Sequence, residues 1–499
     1  MGANRVGIAS RTGFALLLFI CAGCSVGPSF HRPNAEVPES WPSLANAVKP
    51  SPDQPPAETD LTQWWIQFKD PALDKLVADA IAGNLTLKQA ELRILQARAN
   101  RGIAASGFWP QVSENNQHQY SRTPTVDPTG KTFGAIRNFF QLGFDAAWEI
   151  DIFGGTRRGV EAATADIEAS VEDRRDLLVT LVSEVGIDYI AYRSFQKELE
   201  IARTNLAAQQ KSAELTNQRF RGGLVTALDV ANAQALVATT KAQIPVLETA
   251  AQQTSYSLAI LLGREPTALD AELKASAPIP PPPPAIPMGL PSELLRRRPD
   301  IRRAEAQIHA ATARIGVAEA DLFPKLQLTG GAGMQGARAP TLVHWANRFW
   351  NVGPTVNWQA FSGGRILSNI KLQKALEQAS VLAYRQTVLT ALQDVDNALV
   401  AYAGEKEHLQ ALAEAVRANQ QAVDLSLKLY SDGKTDFLNV LSAQRSLYQA
   451  QDSLAQSERS LATNVVALYK ALGGGWSEAE FAKPNDDTQQ KEKVKPPEQ

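Results

Sequence analysis

The stretch NFFQLGFDAAWEID, Asn138 to Asp151, decides how this chain folds. Phe140, Leu142, Phe144, Ala146, Trp148 and Ile150 share one parity; Gln141, Asp145, Glu149 and Asp151 share the other. A period of two sends alternate side chains to opposite faces of a strand, here one apolar and one polar. WNVGPTVNWQA repeats the pattern, with Trp350, Val352, Val356 and Trp358 against Asn351, Thr355, Asn357 and Gln359. KLQLTGGAGM sets Leu326, Leu328, Ala332 and Met334 against Lys325, Gln327 and Thr329, and QVSENNQHQY is a weaker fourth. Such segments build either a half-buried soluble sheet or a membrane barrel with lipid on one face. Four strands cannot close a hollow barrel, and lipid cannot satisfy the backbone groups of two open edges. The membrane reading therefore demands an oligomer.

The two tryptophans Trp148 and Trp358 stand 210 positions apart, and so does much else. FRGGLVTALDVANAQ (Phe220 to Gln234) returns as YSDGKTDFLNVLSAQ (Tyr430 to Gln444), matching Gly223 to Gly433, Leu228 to Leu438, Val230 to Val440 and Gln234 to Gln444. Upstream of the strands the offset is 214: SGFWPQV resembles ADLFPKL with Pro110 matching Pro324, and Glu91 matches Glu305. Internal repeats of this kind set the architecture. The halves run over 70–262 and 291–472.

Each half follows one order. A helix of about 35 residues ends at the FWP or LFP breaker. Two strands follow, over 108–122 and 138–151 in the first half and 323–335 and 349–360 in the second. A glycine turn then opens a very long helical run, Thr156 to Phe220 or Arg365 to Tyr430, with no proline. At 1.5 Å per residue such a run makes a rod roughly 100 Å long. Val160, Ala163, Ile167, Val171, Leu178, Leu181, Val185, Tyr189 and Tyr192 recur at steps of three and four, a stripe that needs a partner helix. The tips, 220–228 and 430–438, reverse each run. Gly223 and Gly433 permit the backbone angles of a sharp reversal, and Thr226 and Asp436 stand where short polar side chains cap the returning helix.

The flanks are simpler. Arg5 and Arg11 precede the apolar run FALLLFI, too short to span a bilayer, followed by CAGC. This is an export signal over 1–23, and its small-small-Cys ending resembles a bacterial lipobox, although Cys21 stands where leucine is usual. The resemblance implies lipidation of Cys24, and Ser25 after it suits sorting to the outer membrane. Residues 24–69 form an N-terminal tether, and APIPPPPPAIPMGLP sits in a proline-rich linker over 263–290. The tail 473–499 lacks core formers and is expected to be disordered.

Composition narrows the function. The 499 residues are 44% hydrophobic and 20% charged, with net charge −2 and mean hydropathy −0.21, which leaves no basic footprint for nucleic acid. The two cysteines, Cys21 and Cys24, cannot build a disulfide framework. His31, His118, His309, His344 and His408 lack metal spacing, and three methionines are too few for a thioether path. TGGAGMQG is no phosphate loop, since no GK[ST] follows. No catalytic constellation or cofactor motif is present, and the chain reads as a non-enzyme.

The combination resembles the TolC family of outer-membrane efflux ducts, and most closely the OprM-like lipoproteins that serve resistance–nodulation–division pumps. CSVGPSFHRP, the pair Trp64 and Trp65, GLPSELLRRRPDIRRAEAQI, GVAEADLFPKLQL, SGGR and the two turn motifs carry the match. The resemblance implies a mainly α fold with a small β part: a homotrimer in which four strands per protomer form a twelve-stranded transmembrane β-barrel. That barrel continues into a hollow α-barrel with a mixed equatorial domain. It implies an outer-membrane location with a long periplasmic extension, and a passive channel fed by a membrane-fusion adaptor and an inner-membrane pump. The tips Arg221, Gly222, Gly223, Leu224 and Thr226, with Asp432, Gly433, Lys434, Thr435 and Asp436, then contact the adaptor. Tyr430, Leu438, Asn439, Ser442 and Asp229 line or gate the constriction. Asn439 and Ser442 are uncharged where relatives carry carboxylates, so an acidic ring does not carry over. Tyr430 reads either as a tie between neighbouring hairpins or as an aromatic packed at a helix end. Two alternatives stand beside the duct: a non-conducting periplasmic coiled-coil scaffold, and the outer-membrane duct of a type I secretion system.

Overall fold

A computed structural model of the protein describes residues 25–35, 37–41, 61–283 and 291–477. The export signal, Cys24 and the tail beyond 477 lie outside the described residues. The chain divides into two compact units, one of residues 1–34, 92–171 and 303–385, the other of 35–91, 172–302 and 386–499.

The first unit holds the alternating segments as one antiparallel sheet of β1 (Gln111–Val126), β2 (Thr132–Ile150), β3 (Lys325–Gly336) and β4 (Arg348–Asn357), in that order. β1 and β2 run on past the 108–122 and 138–151 windows into SRTPTV and TFGAIR. No apolar alternation marks those residues. What holds the extension is the turn between the strands, where the Asp127 carboxylate accepts from the backbone N–H groups of Thr129 and Lys131, each at 2.9 Å. β4 stops at Asn357, three residues short of the expected end.

One parity of the sheet stays apolar and uncovered. Phe144 is 60% exposed, Trp350 75% and Val352 67%, more than an isolated water-soluble sheet leaves open. The β2–β3 junction is tight instead: Gly143 faces Gly333, where a Cβ would come within 2.3 Å of the Leu142 carbonyl oxygen. The duplication repeats in the anchoring of the strand ends. Trp148 Nε1 donates to the Phe108 carbonyl at 3.0 Å, and its counterpart Trp358 donates to that of Leu322 at 3.2 Å.

The residues that follow Cys24 strap this unit. Val26 N–H donates to the Phe153 carbonyl at 3.1 Å, Arg158 donates to the carbonyls of Val26 and Gly27, each at 3.2 Å, and Arg32 pairs with Glu305 at 2.8 Å. Gly27, at φ +92°, lies directly on Gly316.

The helix expected before each pair of strands is broken in two. In the first half α1 (Pro71–Gly83) gives way to α2 (Leu85–Ala105) at Asn84, whose side-chain oxygen accepts from Leu87 N–H at 2.9 Å and caps the second helix. In the other half α5 (Pro291–Arg297) and α6 (Pro299–Ala320) part at Arg298, because Pro299 offers no N–H to continue the first ladder.

The long runs are α3 (Gly155–Arg221) and α7 (Arg365–Ser431), and the returning helices are α4 (Ala227–Leu261) and α8 (Phe437–Ala471). Among the described residues no helix is long and apolar enough to cross a membrane. The core of the second unit gathers on Trp64, fully buried and stacked at 5.3 Å on Tyr469. Leu178, Val182, Val185, Tyr189 and Ile190 from α3 and Val465, Val466 and Leu468 from α8 close around it. Nearby, Glu172 is buried with Arg175 at 2.5 Å and Arg302 at 2.9 Å, and both guanidiniums lie over the Trp476 ring. Burial raises the Glu172 carboxyl above its ordinary value, although the two arginines pull it back.

Candidate functional site

Both turns lie in the second unit and share one backbone plan. α3 ends as Gly223 enters the left-handed region at φ +71°, and Leu224 N–H donates back to the Arg219 carbonyl at 2.9 Å. α7 ends in the same way at Gly433, φ +73°, with Lys434 N–H donating to Leu429. This is the helix stop that favours glycine, since a Cβ there would meet the neighbouring carbonyl.

The two caps then differ. Thr226 closes a full capping box: its N–H donates to Asp229 Oδ2 at 2.9 Å, and Asp229 N–H donates to Thr226 Oγ1 at 3.3 Å. Asp436, expected to cap the matching helix, makes no side-chain cap bond. The residue three places on is Asn439 rather than an acid, and its amide turns away to donate to Thr435 Oγ1 at 2.7 Å. The Asp436 carboxylate is left facing solvent, as is that of Asp432, 3.6 Å from Lys434 Nζ.

The structure divides the other singled-out residues between surface and core. Arg221, Gly222, Leu224, Leu438, Asn439 and Ser442 are exposed, with Leu224 at 70% and Leu438 at 62%. Tyr430 is 1% exposed. Its ring tilts against Phe437 at 5.5 Å, among Ala233, Leu236, Val440 and Leu441, and its hydroxyl donates to Thr216 Oγ1 of α3 at 3.3 Å. Within one chain Tyr430 packs at a helix end and its hydroxyl bonds to the other hairpin.

Arg219 escaped the sequence reading. Its guanidinium lies 4.6 Å from the Tyr430 ring centroid, and its Nη1 donates to the carbonyls of Tyr430 and Ser431. A basic residue in a helix's last turn ordinarily answers the helix dipole, so nothing local marks it as a cross-hairpin tie. Above it runs a buried polar seam between α3 and α8. Gln444 Nε2 donates to Ser212 Oγ at 2.8 Å and Asn205 Nδ2 to Gln451 Oε1 at 2.7 Å. Gln209 is buried between these bonds with neither end of its amide partnered.

A long-helix hairpin occurs twice in the chain, and the sheet leaves one apolar parity open. The family described as outer membrane efflux protein matches residues 76–264 and 290–474, one stretch in each half. The chain belongs to that family. This efflux protein is 32% identical over 459 residues to the probable efflux pump outer membrane protein SepC of Pseudomonas putida, covering 91% of this chain and 95% of that one. It is 30% identical over 481 residues to Nodulation protein T of Rhizobium leguminosarum, covering 95% and 96%. Among solved structures, the outer-membrane channel OprN aligns with a TM-score of 0.84 at 36% identity, over 91% of this chain and all of that one. The open state of the Neisseria gonorrhoeae MtrE outer membrane channel aligns with a TM-score of 0.78 at 28% identity, over 91% and 99%. The efflux protein shares their fold and is an outer-membrane exit duct.

Proposed function

We propose that the protein works as a homotrimer in a tripartite efflux system. It passively conducts solutes that an inner-membrane resistance–nodulation–division pump delivers through a periplasmic membrane-fusion adaptor. Three four-stranded sheets close one twelve-stranded barrel, and a lipid on Cys24 anchors each protomer. The tether over 24–69 and the linker over 263–290 belong to an equatorial belt. The observation that carries this reading is the open sheet: a large uncovered apolar parity together with two edges, at β1 and β4, that no strand pairs among the described residues. Lipid tolerates the first and forbids the second, so other copies must supply the missing partners.

The adaptor meets the tips through the exposed Leu224 and the charged Arg221, Lys434, Asp432 and Asp436, an apolar and ionic mixture typical of a docking rim. Leu438, Asn439 and Ser442, exposed on the first turns of α8, line the constriction, with Asp229 at the matching place on α4. A constriction of amides and hydroxyls selects weakly by charge, which suits a duct that takes what its pump supplies.

Planar bilayers test the proposal. Purified protein is expected to give discrete conductance steps with weak cation preference. Folded trimers that never conduct, even with Arg219 removed, would favour the scaffold alternative.

A further inference from the structure

We infer that β4 of one subunit pairs with β1 of the next in a register that the chain's own duplication fixes, with Asn357 opposite the partner's Asn115. This rests on the trimeric reading above and adds to it which backbone groups meet.

The duplication preserves strand register. Positions of β1 correspond to positions 214 later in β3, and positions of β2 to positions 210 later in β4; Pro110 with Pro324, each just before its strand, and Trp148 of β2 with Trp358, the residue after β4, set the two offsets. Under those offsets the β1–β2 pairs become the β3–β4 pairs. Gln111 with Ala147 maps to Lys325 with Asn357, Ser113 with Asp145 maps to Gln327 with Thr355, and His118 with Phe140 maps to Ala332 with Trp350; each is observed. The sheet is therefore a repeated pair of strands, and the β2–β3 junction is the seam between two repeats.

The edge between subunits is the next seam of the same kind. A ring of identical copies closes head to tail, so β4 must meet β1 and not a second β4. At the internal seam Ala147 faces Thr329 and Leu142 faces Met334. Carried forward by 210 and back by 214, these become Asn357 facing the partner's Asn115 and Val352 facing the partner's Tyr120. Extending the rule sets all of Arg348–Asn357 against positions 124 to 115 of the neighbour, wholly inside Gln111–Val126. No residue of β4 overhangs. Several of the facing side chains suit one another. Asn357, Thr355 and Asn351 meet the partner's Asn115, Gln117 and Ser121 on the polar parity, and Trp350 meets the partner's Arg122 on the other, a cation–π pair.

Cysteine pairs in the full-length, membrane-inserted protein test the register. The native cysteines stand only at positions 21 and 24, so the background is low. Directly opposed Cβ atoms lie about 4.5–5.5 Å apart and diagonal ones about 7–8 Å, beyond easy disulfide reach. Asn115→Cys with Asn357→Cys, and Asn116→Cys with Val356→Cys, cover both the wide and the close kinds of opposed pair. At least one is expected to give reducible covalent dimers and trimers at about tenfold the yield of pairs displaced by two residues, Asn115→Cys with Thr355→Cys and Gln117→Cys with Asn357→Cys. Amine cross-linking of the single-cysteine variants reports assembly independently. Trimers in which a displaced pair links best, or in which no pair links, overturn the register and leave the trimer standing. A monomer by both methods overturns the trimeric reading itself.

Discussion

Arg219 holds Tyr430 from two directions, its guanidinium 4.6 Å from the ring centroid while its Nη1 bonds to the same residue's carbonyl. The two side chains are 211 residues apart and belong to different hairpins. One arginine therefore ties the tip of one hairpin to the end of the other's long helix.

Removing that tie frees the tip. Arg219→Ala loses a cation–π contact and charge-assisted bonds to two carbonyls, about 2 kcal/mol in favour of the separated hairpins. Single-channel recording is expected to show a roughly thirtyfold larger open-to-closed ratio. Tyr430→Phe keeps the ring and loses only a 3.3 Å bond to Thr216, so its effect stays within about 1 kcal/mol.

The two returning helices differ in how they start, and hydrogen exchange at their first turns reads the difference. Thr226→Ala breaks a closed capping box and is expected to destabilise the start of α4 by about 1 kcal/mol. Asp436→Ala removes no bond and stays within a few tenths, about 0.3 kcal/mol. Equal losses at both positions would contradict the asymmetry.

Acidity enters through α3. Burial, with Glu184 nearby, pushes the Asp188 carboxyl from 3.8 up to about 6. A carboxyl raised on folding binds its proton more tightly in the folded state. Its contribution is therefore favourable below pH 4 and is lost as pH rises through 6. The buried carboxyl of Glu198 and the half-buried one of Asp452 are raised in the same direction, chiefly by desolvation. Asp188→Asn is expected to stabilise the protein at pH 7.5 by about 1–2 kcal/mol and to flatten the change in melting temperature between pH 4 and 6. A melting curve for the variant that follows the parent's at every pH would remove Asp188 from the account.

Much of this architecture is legible in the chain because its signals are local and repeated. Period-two alternation marked the strands, proline marked the ends of the helices before them, and the Gly223 and Gly433 turns announced themselves twice. What escaped notice is long-range or depends on one substitution. Nothing around Arg219 points to Tyr430, and nothing in DRRD points to a buried Glu172 caged by Arg175 and Arg302. The break at Asn84 reads as mid-helix until its side chain is seen capping Leu87. Asp436 looks like a cap by residue type, and only the asparagine at 439 tells why it is not.

The mass of the detergent-extracted protein tests the central claim most directly, because a sheet with two open edges in lipid must find partners. Light scattering corrected for bound detergent is expected to give three copies of the chain, whose full-length mass is 54.0 kDa. A single copy, stable and with its strands intact by circular dichroism, would contradict it.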